Sequence, residues 1–337
     1  MERKLFKRMS TPVLFVLYFV FASILVFFSI KCADYVDLLD KKTTLSGAFI
    51  GGVILAAVTS LPELVTSISS VYVVHNAELI VGNILGSNVF NLCIFGGLTL
   101  VTVKGYARAS VGRSHLLTLL CTLVAYMATA AALFFDFFYI PGVHINVMSL
   151  LILIVYVLSF RFLAQDDTEN EEEPDSRLTV RQIVVRFLLT AFGLIVMSVI
   201  VTWLTDQLSE QLNLSASLAG ALFLGVATSL PELSSSIALV RRRNYNAMVG
   251  NVIGSNMFNF TIFSVADIIA GSTSVFVYSS QAGYMLLFGT ASTLLVITSL
   301  CVKRLVKTDS RGAYVLYAVC GGLILSSYVL FLILSSI

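Results

Sequence analysis

Charged side chains are scarce in this chain of 337 residues. Asp, Glu, Lys and Arg together make up 12% of it, whereas ordinary soluble domains carry about 25%. The net charge of +2 is too small to indicate a nucleic-acid partner. Because 58% of the residues are hydrophobic, the composition predicts a protein that lies in a lipid bilayer.

Cysteine and histidine are also rare, which excludes several kinds of site. The five cysteines lie in or beside apolar runs and show neither metal-ligand spacing nor a disulfide framework. We interpret them as small apolar packing residues. The sequence offers no nucleophile–base pair and no histidine in a metal-ligand pattern. An enzyme is therefore the least favoured function class.

Long hydrophobic runs, by contrast, fill the chain. A membrane-spanning helix needs about 20 mostly apolar residues. The first run is longer than the apolar core of a signal peptide, about 7–15 residues, so we interpret it as the first span. We predict an all-α integral membrane protein with ten transmembrane helices. The ten runs lie near residues 11–30, 45–74, 77–103, 115–135, 139–163, 182–204, 214–240, 246–271, 281–302 and 313–336.

An acidic segment divides the ten runs into five and five. The stretch "QDDTENEEEPDSR" occupies residues 165–177 and is typical of a solvated linker. We predict a first transmembrane repeat over residues 1–164, the linker over 165–180, and a second repeat over 181–337. Five spans are an odd number, so the second repeat must enter the membrane from the opposite side. The sequence thus predicts two inverted five-helix repeats.

The basic residues indicate how the chain is oriented. If the N-terminus lies outside the cell, 17 of the 21 Lys and Arg residues fall in cytoplasmic loops or at their borders. The other four precede the first run. We therefore predict a multi-pass protein of the cell membrane with an extracellular N-terminus and a cytoplasmic linker over 165–180.

One phrase with a proline and a carboxylate occurs in both halves. "TSLPELVTS" begins at Thr59, and "TSLPELSSS" begins at Thr228. Pro62 and Pro231 cannot donate a backbone hydrogen bond, so we expect helix breaks that free carbonyl oxygens near the two threonines. Within a membrane, such oxygens are tolerated only where they are buried in protein or line a cavity.

The carboxylates of these phrases are the strongest candidate ligands. Glu63 and Glu232 lie near the middle of apolar runs, where a charge costs several kcal/mol or more, and no Lys or Arg lies mid-span to pair with them. Two carboxylates and two freed threonine carbonyls offer six oxygens, and calcium takes six to eight. Sodium would be served by the same carboxylates together with hydroxyl and amide oxygens.

A second phrase is also repeated and supplies those oxygens. It reads "VGNILGSNVFN" over 81–91 and "VGNVIGSNMFN" over 249–259. Ser87 and Asn91 are four residues apart, as are Ser255 and Asn259, so each pair shares one helix face. All these ligands are hard oxygens, which disfavours zinc, copper and iron.

The phrases "TSLPE" and "GNxxGSNxFN", each present once in each half, resemble the motifs of the sodium/calcium exchanger family of the calcium/cation antiporter superfamily. The ten-span plan with a loop after the fifth span resembles the family along the whole chain, and the short loop is similar to that of prokaryotic members. The resemblance implies exchange of Na⁺ for Ca²⁺ by alternating access, with one shared cation site at the interface of the repeats.

The resemblance also implies roles for single residues. It implies a calcium site made by the carboxylates of Glu63 and Glu232 and by the carbonyls of Thr59 and Thr228. The sequence departs from the family where a glycine usually precedes the threonine, since Val58 and Ala227 stand there. The asparagine that ends both copies of the second phrase resembles the potassium-independent exchangers. The predicted sodium ligands are the carbonyls of Ala56 and Gly225 and the side chains of Ser60, Ser87, Asn91, Ser229, Ser255 and Asn259.

We thus predict an antiporter that needs no cofactor beyond the transported Ca²⁺ and Na⁺ and that transports as a monomer. One alternative is a proton-coupled calcium exchanger of the same superfamily, in which Glu63 and Glu232 are protonated instead of sodium-bound. Another is a gated cation channel, which needs no inverted repeat. Asp267 lies inside the eighth run without an acidic counterpart in the first half, and no role is predicted for it.

Overall fold

A computed structural model of the chain describes residues 9–42, 60–135, 139–140, 145–163, 178–241, 243–270, 274–305 and 310–335. Within these ranges the regular structure is helical, and the only β-type pairing is an isolated bridge between Tyr139 and Asn146. The prediction of an all-α membrane protein is confirmed to this extent. Ala56, Thr59 and the linker segment 165–177 lie outside the described residues.

The helices follow the apolar runs of the sequence. They are α1 Thr11–Lys42, α2 Leu61–Tyr72, α3 Glu78–Val101, α4 Val103–Arg108, α5 Ser114–Phe134, α6 Val147–Leu163, α7 Val180–Leu212, α8 Ala216–Thr228, α9 Leu230–Arg241, α10 Tyr245–Ala270, α11 Ser280–Leu305 and α12 Arg311–Ser335. The start of α7 shows how polar residues set a boundary. The Thr179 hydroxyl accepts from the backbone of Gln182, whose side chain accepts from the backbone of Thr179, so both free N–H groups are paired.

Seven of these helices are long and apolar enough to cross a membrane, and the bent pair α8–α9 would make an eighth span. The two remaining predicted runs are 45–74 and 139–163. The first is represented by the 12 residues of α2, because the residues before Ser60 are not described. The second is represented by α6, with 17 residues. The count of ten spans stays a prediction.

The helices separate into inner and outer ones. Of the membrane-spanning windows, 67% of α3 and 72% of α10 are buried, against 28% of α1 and 17% of α7. The outer pair α1 and α7 pack along each other and expose large apolar side chains such as Phe19, Leu189 and Phe192. Burying these side chains in lipid instead of water is favourable by about 1.5–3 kcal/mol each. The inner pair carries the repeated GSN phrases.

Glycines bring α3 and α8 into backbone contact. A Cβ at Gly86 would lie 2.5 Å from the Cα of Ala221, and one at Gly220 would lie 2.7 Å from the carbonyl oxygen of Leu79. A Cβ at Gly82 would overlap the Ser217 carbonyl. The spacing of Gly82 and Gly86 is the small-xxx-small pattern that allows close approach of two helices in a membrane. As a result, the motif on α3 lies against the end of α8.

We expect Gly86→Ala to lower the stability of the protein, because the added methyl group meets backbone that can move only with the whole helix. Overpacking of this kind costs about 1–3 kcal/mol. The matched control is Gly97→Ala on the same helix, where the new Cβ would lie 3.7 Å from the Leu325 side chain, an ordinary contact. The melting temperatures of the purified variants in detergent measure the difference. Equal shifts for the two variants would show that the α3–α8 contact is not tight.

Candidate functional site

Both proline phrases lie where a helix begins, and the second also lies at a break between two helices. Ser60 precedes α2 with φ −93° and ψ 11°, and Ser229 separates α8 from α9 with φ −91° and ψ 3°. The axes of α8 and α9 differ by 43°. Pro62 and Pro231 are the second residues of α2 and α9, where a missing N–H is tolerated. In the second copy of the proline phrase, the break lies at Ser229, one residue after Thr228, close to the predicted place.

The backbone before the second break is also irregular. Gly220–Gly225 form a π-helical turn, a feature often found at functional sites. The Gly225 carbonyl accepts from the Ser229 N–H at 3.3 Å and from the Ser87 hydroxyl at 3.2 Å. Ser87 Oγ also lies 3.4 Å from Thr228 Oγ1. The structure thus brings together three predicted ligands from opposite halves of the chain: Ser87, Gly225 and Thr228.

The two carboxylates are completely buried. Glu63 and Glu232 each have 0% of their surface exposed, and each lies in the first turn of its helix. A helix N-terminus carries a partial positive charge that favours a carboxylate by about 0.3–1 kcal/mol. Glu63 contacts Ser229, which lies three residues before Glu232, so the two phrases meet across the halves. None of the Lys, Arg or His side chains in the described ranges forms an ion pair with them.

Serine hydroxyls hold one oxygen of each carboxylate. Ser229 Oγ donates to Glu63 Oε1 at 3.4 Å, and Ser255 Oγ donates to Glu232 Oε1 at 3.4 Å. The other oxygen, Oε2, has no hydrogen-bond partner in either case within the described part of the chain. An unpaired, fully buried carboxylate oxygen is expensive unless a cation or a proton neutralises it. These two oxygens are therefore candidate ligands for a cation.

The contacts of the two carboxylates are not equivalent. Glu63 is contacted by a serine of the other half, Ser229, whereas Glu232 is contacted by Ser255 of its own half. Ser60 occupies the position in the first copy of the proline phrase that Ser229 occupies in the second copy. Its buried hydroxyl has no partner among the residues described. One set of residues therefore adopts two different hydrogen-bond arrangements in the two halves.

Two further asparagines, which sequence reasoning did not assign, hold the motif helices together. Asn83 Nδ2 donates to the carbonyl of Glu63 and to the hydroxyls of Thr66 and Ser67 at 2.9–3.2 Å. Asn251 makes the corresponding three contacts in the second half, to Glu232, Ser235 and Ser236, at 3.0–3.4 Å. The repeated "VGN" contains both asparagines and could have indicated a shared role, but no role was predicted for them.

The last two predicted ligands lie between the inner helices. Asn91 and Asn259 are both fully buried, and each amide nitrogen donates to an asparagine of the opposite half, at 3.0 Å. Each amide oxygen has no partner within the described ranges. They lie one turn beyond Ser87 and Ser255 on the same helix faces. Among the predicted ligands, the structure joins Ser87, Gly225 and Thr228 in one group, Glu63 to Ser229, and Glu232 to Ser255. The Ser60 hydroxyl has no partner within the described residues. Ala56 and Thr59 lie outside them.

Asp267 has a clear structural environment. Its Oδ2 accepts from the backbone N–H of Asn146 at 2.8 Å and from the Ser149 hydroxyl at 2.7 Å. These groups lie at the start of α6, so the carboxylate on α10 anchors the N-terminus of a neighbouring helix. The matching residue of the first half, Thr99, bonds only carbonyls of its own helix.

We expect Asp267→Ala to destabilise the protein by about 1–3 kcal/mol, because a buried N–H and a hydroxyl lose their acceptor. Thr99→Val is the matched control and should change stability much less. Melting temperatures in detergent measure both effects. If Asp267→Ala alters the ion dependence of transport without lowering stability, the carboxylate belongs to the ion path instead.

A sequence model of the family described as "Sodium/calcium exchanger protein" matches residues 10–164 and 182–337. The inner membrane protein YrbG of Escherichia coli is 28% identical over 270 residues, which cover 76% of this chain and 78% of that protein. The match thus extends over both halves of the chain.

Solved structures with the same fold include two calcium exchangers. The H⁺/Ca²⁺ exchanger CAX superposes with a TM-score of 0.66 at 15% identity and covers 96% of this chain and 90% of its own. The sodium-calcium exchanger NCX_Mj superposes with a TM-score of 0.55 at 20% identity and covers 94% of this chain and 97% of its own. At these identities the likeness shows a shared helical fold and does not choose between the coupling ions.

Proposed function

Because the chain belongs to the sodium/calcium exchanger protein family, we propose that it exchanges Na⁺ for Ca²⁺ across the cell membrane by alternating access. Members of this family are transporters rather than enzymes, and this chain is a multi-pass membrane protein that acts as a cation antiporter. The finer proposal concerns the ions, the shared site and the movement. It assigns no cofactor beyond the transported ions.

One observation carries the proposal: two glutamates are fully buried without a basic partner within the described ranges, and Glu63 contacts Ser229, three residues before Glu232. Together they carry the charge that one divalent cation neutralises. Calcium accepts six to eight oxygens in flexible geometry, and the site offers both Glu63 and Glu232 with their unpaired oxygens. Calcium and sodium then compete for the same two carboxylates, so binding of one excludes the other. This exclusion makes the protein an exchanger and not a leak.

Hydroxyl and amide oxygens around the carboxylates favour sodium over protons as the coupling ion. A proton needs only a carboxylate oxygen, whereas sodium needs a shell of several neutral oxygens. The Ser87 hydroxyl and the Gly225 carbonyl offer two such oxygens 3.2 Å apart, beside the predicted calcium ligand Thr228. The unpaired amide oxygens of Asn91 and Asn259 offer two more. We assign these groups to flanking sodium sites.

The unequal contacts of the two halves support alternating access. In an inverted repeat, exchanging the arrangements of the two halves generates the opposite-facing state. Here that exchange means that Ser60 takes over the contact with Glu232 that Ser229 now makes with Glu63. Asn83 and Asn251 make corresponding contacts, each with the glutamate of its own half. These contacts support the division into repeats 1–164 and 181–337. We propose an extracellular N-terminus and a cytoplasmic 165–180 linker on the distribution of Lys and Arg.

We expect Glu63→Gln and Glu232→Gln each to abolish sodium-driven calcium uptake. Each change removes one negative charge from a site of low dielectric constant, where the attraction of a divalent cation is strong. The measurement is uptake of radioactive calcium into proteoliposomes loaded with sodium. The control is Glu210→Gln, because Glu210 is exposed at the end of α7 and should leave uptake unchanged. Near-normal uptake in either site variant would rule out a shared carboxylate site.

The coupling ion is tested by calcium efflux against graded external sodium at fixed pH. We expect efflux to rise with sodium in the wild-type protein. Ser87→Ala and Ser255→Ala should raise the half-saturating sodium concentration about ten-fold, which corresponds to the loss of one neutral contact of ~1–1.5 kcal/mol. Calcium dependence should change less, because the carboxylates remain.

The matched control for these variants is Ser234→Ala. Ser234 lies on α9 within the stretch TSLPELSSS, but it is exposed and bonds only the Leu230 carbonyl. Its removal should leave the sodium curve in place. Efflux that ignores sodium and follows an imposed pH gradient would favour the proton-coupled alternative. Sodium-independent flux without saturation would favour a channel.

A further inference from the structure

Four buried asparagines form a cluster between α3 and α10. Asn88 and Asn256 are the asparagines of the two GSN triplets, and Asn91 and Asn259 end the two phrases. Every one of them is at most 2% exposed. Three hydrogen bonds join the cluster, and each connects opposite halves: Asn91 Nδ2 to Asn256 Oδ1 at 3.0 Å, Asn256 Nδ2 to the Asn88 carbonyl at 3.1 Å, and Asn259 Nδ2 to Asn88 Oδ1 at 3.0 Å.

The backbone fixes which way two of these amides face. The Asn88 carbonyl can only accept, so the atom of Asn256 that faces it must be the Nδ2 donor. Asn256 Oδ1 then faces Asn91, which must present its own donor, Nδ2. The amide oxygen of Asn91 is left facing away from this contact and has no partner in the described part of the protein. The direction of a predicted ligand is therefore set by a residue of the opposite half.

The second pair repeats this arrangement with one difference. Asn259 Nδ2 donates to Asn88 Oδ1, so the Asn259 oxygen is also left without a partner within the described residues. Asn88 Nδ2 likewise has no partner there. Asn88 is thus held through Asn259 alone, whereas Asn256 is held at both of its polar atoms. A buried amide oxygen without a hydrogen-bond partner costs free energy, and a bound cation would be a suitable partner.

On the basis of the proposed function, we propose that Asn256 is a positioning residue that turns the amide oxygen of Asn91 toward a transported sodium ion. Asn256 acts through Asn91, because its Nδ2 is engaged by the Asn88 carbonyl and its Oδ1 by Asn91 Nδ2. A residue of the second half therefore orients an amide ligand of the first half.

A double-mutant cycle separates positioning from direct binding. Asn91→Ala should raise the half-saturating sodium concentration for calcium efflux about five- to ten-fold, the range of one lost neutral contact. Asn256→Ala should raise it about three- to ten-fold. If Asn256 acts only through Asn91, the double variant should be no worse than Asn91→Ala alone, because effects within one linked unit do not add. All variants are measured as full chains in proteoliposomes and normalised to folded protein.

The control is Thr261→Val, since Thr261 is a buried polar residue of α10 that bonds only the carbonyl of Phe258. Its sodium curve should match the wild type. If Asn256→Ala does not fold, Asn256→Ser, which keeps a smaller polar side chain, replaces it in the cycle.

The outcomes distinguish this inference from the proposed function. If wild-type efflux does not depend on sodium, both are wrong. If wild-type efflux depends on sodium but Asn91→Ala leaves the curve in place, the inference alone is wrong. If the effects of Asn91→Ala and Asn256→Ala multiply in the double variant, Asn256 acts independently of Asn91 and the positioning role is wrong.

Discussion

The arrangement of this protein depends on two negative charges held in an apolar interior. Removing a carboxylate from water costs several kcal/mol even after the surroundings relax. Here each carboxylate gains only a helix N-terminus and one serine hydroxyl from the described residues. These contacts reduce the cost without supplying a full positive charge. A cation or a proton would therefore complete the neutralisation of these groups, in line with the proposed cation site.

Close helix packing makes such a site possible. Gly82, Gly86 and Gly220 allow α3 and α8 to touch through their backbones. A carbonyl at the end of α8 can then reach a serine on α3, as it does between Gly225 and Ser87. With larger residues at the glycine positions, these oxygens would be separated by the width of a side chain. The helix starts at Leu61 and Leu230 complete the arrangement, because they place Glu63 and Glu232 in first turns that are buried in the protein.

The sequence predicts the parts of the site whose cause is local. A proline followed by a glutamate inside an apolar run indicates a helix break beside a buried carboxylate. The structure has a helix start at Leu61 and a break at Ser229, each with a fully buried glutamate beside it. The repeated phrases also identify Ser87 and Ser255 by position alone. In these cases the physical reason lies within a few residues of chain.

Other features depend on contacts between distant segments, which one sequence does not reveal. Asp267 is explained by the start of α6, more than 100 residues earlier in the chain. The π-helical turn over Gly220–Gly225 depends on how α8 packs against α3. The unequal contacts of Glu63 and Glu232 could not be predicted either, because each repeated phrase is nearly the same in its two copies.

The asparagine cluster has a consequence for how the two copies of the second phrase can change over evolutionary time. In most duplicated proteins, one copy is free to diverge once the other retains the original role. Here each copy is the hydrogen-bond partner of the other, so a substitution in one copy removes a contact from the other. The stretches 81–91 and 249–259 still share eight of eleven residues. The duplication has thus produced two segments that must vary together, as the two strands of a base-paired stem do.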